Sequence, residues 1–150
     1  MPYSPEPLPT NDIITMLDTY WDTNSGNIPE PTFHDVNDVT SNRVNFRIND
    51  VIVVHIDVPT QEEQPIGTWV YGNRRTRLAL ETYTRVGRQR LYDINKEIRR
   101  ICHVRMHSET NYQRLQYVSF TELVDAEFQI WIGRTILELV NSAILLEIAT

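Results

Sequence analysis

RRTRLALETYTRVGRQRLYDINKEIRRICHVRM, residues 74–106, contains two hydrophobic periodicities in succession. From residue 77 to residue 86, every second side chain falls on one side of the chain: Leu78, Leu80, Thr82, Thr84 and Val86. Period-two alternation predicts a strand with one buried face. Gly87 ends this run, and from Arg88 the apolar residues follow helical spacing: Leu91, Ile94, Ile98, Ile101 and Cys102. The stretch therefore predicts a strand followed by an amphipathic helix that packs on a sheet.

The opposite face of this helix is predicted to be exposed and charged. It carries Asp93, Lys96, Glu97 and Arg100, and the pairs Asp93/Lys96 and Glu97/Arg100 are spaced so that they lie on neighbouring turns. We therefore expect these four side chains to face solvent.

Proline spacing divides the chain. Pro2, Pro5, Pro7 and Pro9 predict an extended arm over residues 1–10, because proline fixes φ and restricts the residue before it. A first helix is expected over Asp12–Trp21, capped by Thr10 or Asn11. Residues 11–150 then have the length of a single domain.

Further strands are indicated on both sides of the central helix. Residues 51–58, VIVVHIDV, predict a central strand buried on both faces. An acidic loop over 59–67 and a Gly72-Asn73 hairpin turn are expected to follow. Near the C-terminus, alternation favours a strand to about Val140 with Gly133 as a bulge, and the last ten residues remain open between strand and helix. This order predicts a two-layer α+β fold with a mainly antiparallel sheet and helices on one face.

The charges are strongly segregated along the sequence. Residues 74–114 hold eleven bases and four acids, residues 1–73 hold two bases and eleven acids, and residues 115–150 hold one base and five acids. The formal net charge of −6 and the pI near 5.1 disfavour broad nucleic-acid binding, which is usually the property of basic domains. Thirteen of the fourteen bases are arginine, which suits bidentate contacts with carboxylates.

This pattern predicts a contact between identical subunits. The expected interface residues are the arginines next to the predicted turn and helix start, together with acids of the predicted loop: Arg74, Arg75, Arg77, Arg88, Arg90, Glu62 and Glu63. A contact of that kind is head-to-tail and closes into a ring. Residues expected to contact other partners are Pro5, Pro7, Pro9, Arg99 and Arg100.

No sequence pattern indicates an enzyme, a cofactor or a metal. The chain lacks GxGxxG, Walker, GxSxG and HExxH motifs. Cys102 lies on the apolar stripe, and His103 and His107 are read as polar residues at a helix end. No apolar run reaches membrane-spanning length, and the first ten residues do not resemble a secretory signal, so we expect a protein made in the cytoplasm without membrane contact.

The order of elements resembles that of the tail-terminator and tail-completion proteins of tailed viruses. The likeness lies in WVYGNRRTRLALETYTRVGRQRLYDINKEIRRI (Trp69–Ile101), a strand that leads through a short break into a helix ending in Glu-x-Arg-Arg-Ile, and in a closing strand over Phe128–Val140. It is a likeness of layout that covers most of residues 11–140.

The resemblance implies a structural virion protein of the tail or neck, assembled in the host cytoplasm. It implies a ring, typically of six copies, that caps the tail tube and contacts the tail tube protein and a neck or head-completion protein, with DNA only passing through the lumen. Three alternatives remain: another head–tail connector or baseplate protein, a nucleic-acid-binding module that uses Arg74–Arg105, and a small metal-dependent hydrolase that uses the acidic loops with His103 and His107.

Overall fold

A computed structural model describes residues 8–23, 28–36, 50–63, 71–107, 114–125 and 129–144 of the chain. Two helices and five strands lie within these residues. The helices are α1 (Pro9–Tyr20) and α2 (Arg88–Val104), and the strands are β1 (Thr32–Asp35), β2 (Val51–Glu63), β3 (Tyr71–Thr84), β4 (Arg114–Asp125) and β5 (Ile130–Ile144).

The strands form one sheet in the order β1-β2-β3-β5-β4. Only β1 and β2 are parallel; the other three pairs are antiparallel. Both helices pack on the same face, because their apolar stripes share one core with alternate residues of the strands, including Ile52, Leu80, Leu115 and Leu137. The predicted two-layer α+β fold is therefore confirmed. We call the helix-covered side of the sheet the closed face and the other side the open face.

The central segment behaves largely as its periodicity predicts. Leu91, Ile94, Ile98, Ile101 and Cys102 are fully buried on α2, as are Leu78 and Leu80 on β3. Two details are wrong. Val86 lies beyond the end of β3 and is 77% exposed, and Glu97 is only 4% exposed, because the chain that leaves α1 covers it.

The prediction of an extended arm over residues 1–10 is wrong at its C-terminal end, where α1 begins. Pro9 is the first residue of α1, where the missing N–H costs nothing because the first helical N–H groups have no partner within the helix. Leu8 occupies the N-cap position without a side-chain cap, so the predicted caps at Thr10 and Asn11 are wrong. Pro5 and Pro7 lie outside the described residues.

The predicted loop and hairpin turn before the central segment are also wrong where the structure describes them. β2 continues to Glu63, and Gly72 and Asn73 lie inside β3, where Gly72 pairs with Ala143 of β5. Pro59 falls at a register irregularity between Val58 and Gln61, a position at which a strand accepts proline. Residues 64–67 of the predicted loop lie outside the described residues.

Within the predicted central strand, residues 51–58, burial on both faces is limited to Val51–Val54. β1 pairs with those four residues and no further, and Ile56 is 48% exposed. A four-residue β1, Thr32–Asp35, therefore sets how much of β2 behaves as a central strand.

The C-terminal segment is a strand that extends past Val140 to Ile144. Gly133 is not a bulge, because β5 stays in register with β3 along its whole length. A side chain at this position would lie 2.6 Å from Phe120 and 2.9 Å from Leu91, so glycine leaves space for α2 to approach the sheet. Residues 145–150 lie outside the described residues.

Candidate functional site

The open face carries a network of ion pairs between side chains of neighbouring strands. Arg77 lies opposite Glu138 in the β3–β5 register, and its Nε donates to Glu138 Oε2 at 3.1 Å. Arg75 approaches the same carboxylate at 3.6 Å. The Glu138 side chain is 12% exposed, whereas both arginine side chains are nearly half exposed. Two of the predicted interface arginines thus have an acidic partner within their own chain.

A second cluster lies further along the open face around Glu81. The Tyr83 hydroxyl donates to Glu81 Oε2 at 2.6 Å, and His55 Nε2 lies 3.2 Å from Glu81 Oε1. Burial alone would raise the pKa of Glu81, but the hydrogen bonds from Tyr83 and His55 and the charges of His55 and Arg134 bring this pKa below 4.5. Arg134 pairs with Asp57 at 2.5 Å. Glu81 and Asp57 therefore each have a hydrogen-bonding or basic partner on this face of the same chain.

Arg88 and Arg90 stand near the start of α2 but point to different neighbours. Arg90 pairs with Asp50 at 2.7 Å and donates to the Pro29 carbonyl at 2.9 Å, and both charged side chains are 12% exposed. Arg88 pairs with Glu122 of β4 at 2.9 Å and remains 63% exposed. Arg90 therefore ties α2 to the start of β2, whereas Arg88 stays at the surface beside β4.

Arg99 and Arg100 are adjacent in sequence, but only Arg100 joins two elements of the chain. Arg100 contacts Glu97 through two nitrogens and donates to the Tyr20 carbonyl at 2.9 Å. Glu97 also accepts from the backbone N–H of Asp22, so this pair connects α2 to the chain that leaves α1. Arg99 is exposed and makes no hydrogen bond or ion pair with another described residue. Of the two predicted contact residues, Arg99 is the one available to a partner.

The predicted acidic partners, Glu62 and Glu63, lie at the end of β2. Their backbones pair with Arg74 and Asn73 of β3 in the same chain. Glu62 and Arg74 are therefore paired across neighbouring strands of one subunit. An intersubunit role for these residues stays a prediction.

Sequence reasoning missed a pocket between α1 and β1. It has a volume of about 540 Å³ and is lined by Ile14 and Asp18 of α1 and by residues 30–34. A hydrogen bond with Asp18, then desolvation and the nearby charge of Asp18, raise the pKa of Glu30 from 4.5 to about 7. Asp18 and Glu30 lie in separate segments of the sequence, and no motif spacing connects them.

Within the described residues, no group of three or more His, Cys, Asp or Glu side chains is arranged to hold a metal ion. Burial raises the pKa of the Cys102 thiol to about 12, so it remains protonated near neutral pH. None of the described helices is both long and apolar enough to cross a membrane. No known protein family model matches the sequence, and no curated protein matches it either.

Proposed function

We propose that this chain is a structural virion protein, a tail terminator that caps the tail tube as a hexameric ring and joins it to the neck. The observation that carries the proposal is the layout: an N-terminal helix, a sheet, a second helix on the same face of that sheet, and a closing antiparallel pair of strands. That order agrees with the one that the resembled family implies. The proposed partners are further copies of this chain, the tail tube protein and a neck or head-completion protein.

The charge distribution supports a structural role rather than a nucleic-acid-binding one. Arg77, Arg88, Arg90 and Arg100 of the central segment each have a carboxylate partner in the chain. Arginines that are already paired must lose those contacts before they neutralise phosphates. An acidic chain with a net charge of −6 suits a ring through which DNA passes without adhering, because like charges repel.

Capping of tail tubes by the purified protein tests the proposal. Tubes assembled without this chain are incubated with it and imaged by electron microscopy. We expect one ring at the head-proximal end of each tube and no further growth from that end. Binding at the sides of tubes, or unchanged growth, would contradict a terminator. Binding to heads but not to tubes would favour the alternative, another head–tail connector or neck protein.

A nucleic-acid-binding module using Arg74–Arg105 predicts a different result. Such a module would bind duplex DNA at low ionic strength and lose affinity steeply as salt is added. The proposed ring predicts no measurable affinity for linear DNA at any salt concentration.

A further inference from the structure

The two ends of the sheet, meaning its two edge strands with the helices beside them, carry opposite charge. β1 forms one end and β4 the other, in the order β1-β2-β3-β5-β4. At the first end, α1, β1 and the short segment before β1 contribute acids: Asp12, Asp18, Glu30 and Asp35. We call this end the acidic flank. Its pocket, with a volume of about 540 Å³, opens between α1 and β1.

The β4 end is basic. One side of α2 faces β4: Arg88 and Tyr92 contact Glu122, and Asn95 accepts a hydrogen bond from the Tyr117 hydroxyl at 2.9 Å. Arg99 follows on the same side, one turn after Asn95, and its charge acts on Tyr117. Together with β4, this side carries four bases and two acids: Arg88, Lys96, Arg99, Arg114, Glu122 and Asp125. We call it the basic flank.

Arg99 and the pocket are complementary in chemistry as well as in charge. Arg99 is exposed and has no ion-pair partner among the described residues. The pocket combines apolar walls, Ile14 and Phe33, with the carboxyl groups of Asp18 and Glu30 and the imidazole of His34. An arginine side chain needs the same two surfaces, since its stem packs on apolar groups while its guanidinium binds carboxylates.

We propose that the basic flank of one copy docks on the acidic flank of the next, with Arg99 entering the pocket between Asp18 and Glu30. The flanks lie at opposite ends of one sheet, so the contact is head-to-tail and each copy keeps one unused flank until a ring closes. This inference rests on the proposed ring and names its subunit contact. It replaces the sequence-predicted pairing of Arg74 and Arg75 with Glu62 and Glu63 by a contact between surfaces that are far apart in one chain.

The contact between Asp18 and Glu30 supports this assignment, because it places two carboxyl groups side by side in the pocket. The hydrogen bond with Asp18, then burial, then the charge of Asp18 raise the pKa of Glu30 to about 7. A guanidinium beside these two groups would favour their charged forms.

A charge swap tests the contact by native mass spectrometry across a concentration series. R99E and E30R are each expected to raise the apparent dissociation constant of the ring roughly 100-fold, because each places like charges together at the contact. The double variant R99E/E30R pairs the charges again in the opposite sense and is expected to recover the ring. R85E and D93R make the same charge changes at exposed or half-exposed positions off both flanks, and are expected to assemble like the wild type.

Each other outcome is decisive. If the wild type forms a ring and R99E or E30R forms it equally well, the proposed contact is wrong and the ring stands. If both single variants dissociate but the double variant does not reassemble, Arg99 and Glu30 do not meet. A wild type that is monomeric at every concentration would overturn both the contact and the ring. Circular dichroism of every variant checks that a lost ring is not a lost fold.

Discussion

The closed and open faces of the sheet are stabilised by different physics, although they alternate residue by residue along the same strands. On β5, Leu137 points into the core and is fully buried, while its neighbour Glu138 pairs with Arg77 on the open face. The closed face excludes water with apolar side chains. The open face keeps charged side chains and neutralises them pairwise. The closed face therefore stabilises the fold by burying apolar side chains, whereas the charged side chains of the open face can remain in contact with water.

Truncation of neighbouring residues on β5 should show this contrast most strongly. L137A removes a fully buried side chain and is expected to lower the free energy of unfolding by about 3–4 kcal/mol. I136A, on the open face, removes a half-buried side chain and should cost about 1 kcal/mol. Urea denaturation of both variants measures the difference. Equal losses would mean that the open face is also a packed core.

Breaking a mostly buried ion pair should cost more stability than breaking an ion pair on the open face. Arg90 and Asp50 are each 12% exposed, so R90M leaves a mostly buried carboxylate unpaired and is expected to cost about 3 kcal/mol. R77M breaks a pair whose arginine is 46% exposed and leaves Glu138 with Arg75 as a second partner, so its cost should stay within about 1 kcal/mol. Thermal unfolding at two salt concentrations checks both values. A cost for R77M as large as that for R90M would show that the ion pairs of the open face stabilise the fold as much as the buried pair does.

Gly133 tests how closely α2 approaches the closed face. In G133A, the new methyl group would lie 2.6 Å from Phe120 and 2.9 Å from Leu91, so one of them must move, at a cost of about 2 kcal/mol. F120L removes part of the obstructing ring and should recover some of that loss in the double variant. Purely additive losses in denaturant unfolding would mean that the approach at Gly133 is not what limits packing.

The acidic pocket predicts the smallest effect, a change in the pH dependence of stability. The pKa of Glu30 is about 7 in the folded chain, compared with 4.5 for a free side chain, so the folded state holds more protons between these values. Its contribution to stability is present below pH 4.5 and is lost as the pH rises towards 7. Asp18 and His34 also line the pocket, and the E30Q variant used to test this prediction leaves both side chains unchanged.

Comparison of wild type with E30Q isolates this contribution. The urea midpoint of the wild type should fall relative to that of E30Q between pH 4.5 and pH 7. Parallel pH profiles would show that the fold does not raise the pKa of Glu30.

Much of the fold was predictable because local periodicity carries it. The alternation of Leu78 and Leu80 and the stripe from Leu91 to Cys102 each match what the structure buries. Errors arose where a distant strand decides the outcome. Gly72 reads as a turn residue in sequence, but it is held in β3 by pairing with Ala143, which lies outside any local window.

The candidate site was less predictable for a similar reason. Sequence identified the arginines but not their partners, since Arg77 meets Glu138 and Arg90 meets Asp50 only after the sheet forms. The pocket at Asp18 and Glu30 requires α1 to lie beside β1, and neither carboxylate belongs to a motif. The segregation of charge along the sequence predicted a contact between subunits. Only the strand order of the sheet shows that the acidic and basic surfaces lie at its opposite ends.

The central claim, that copies of this chain close into a head-to-tail ring, is tested most directly by the native mass of the purified wild-type protein over a wide concentration range. We predict one dominant closed assembly of the 17.6-kDa chain, most simply six copies, with no open intermediates of increasing size and with dissociation at high salt. A monomer at every concentration, or a dimer that never grows, would contradict the account.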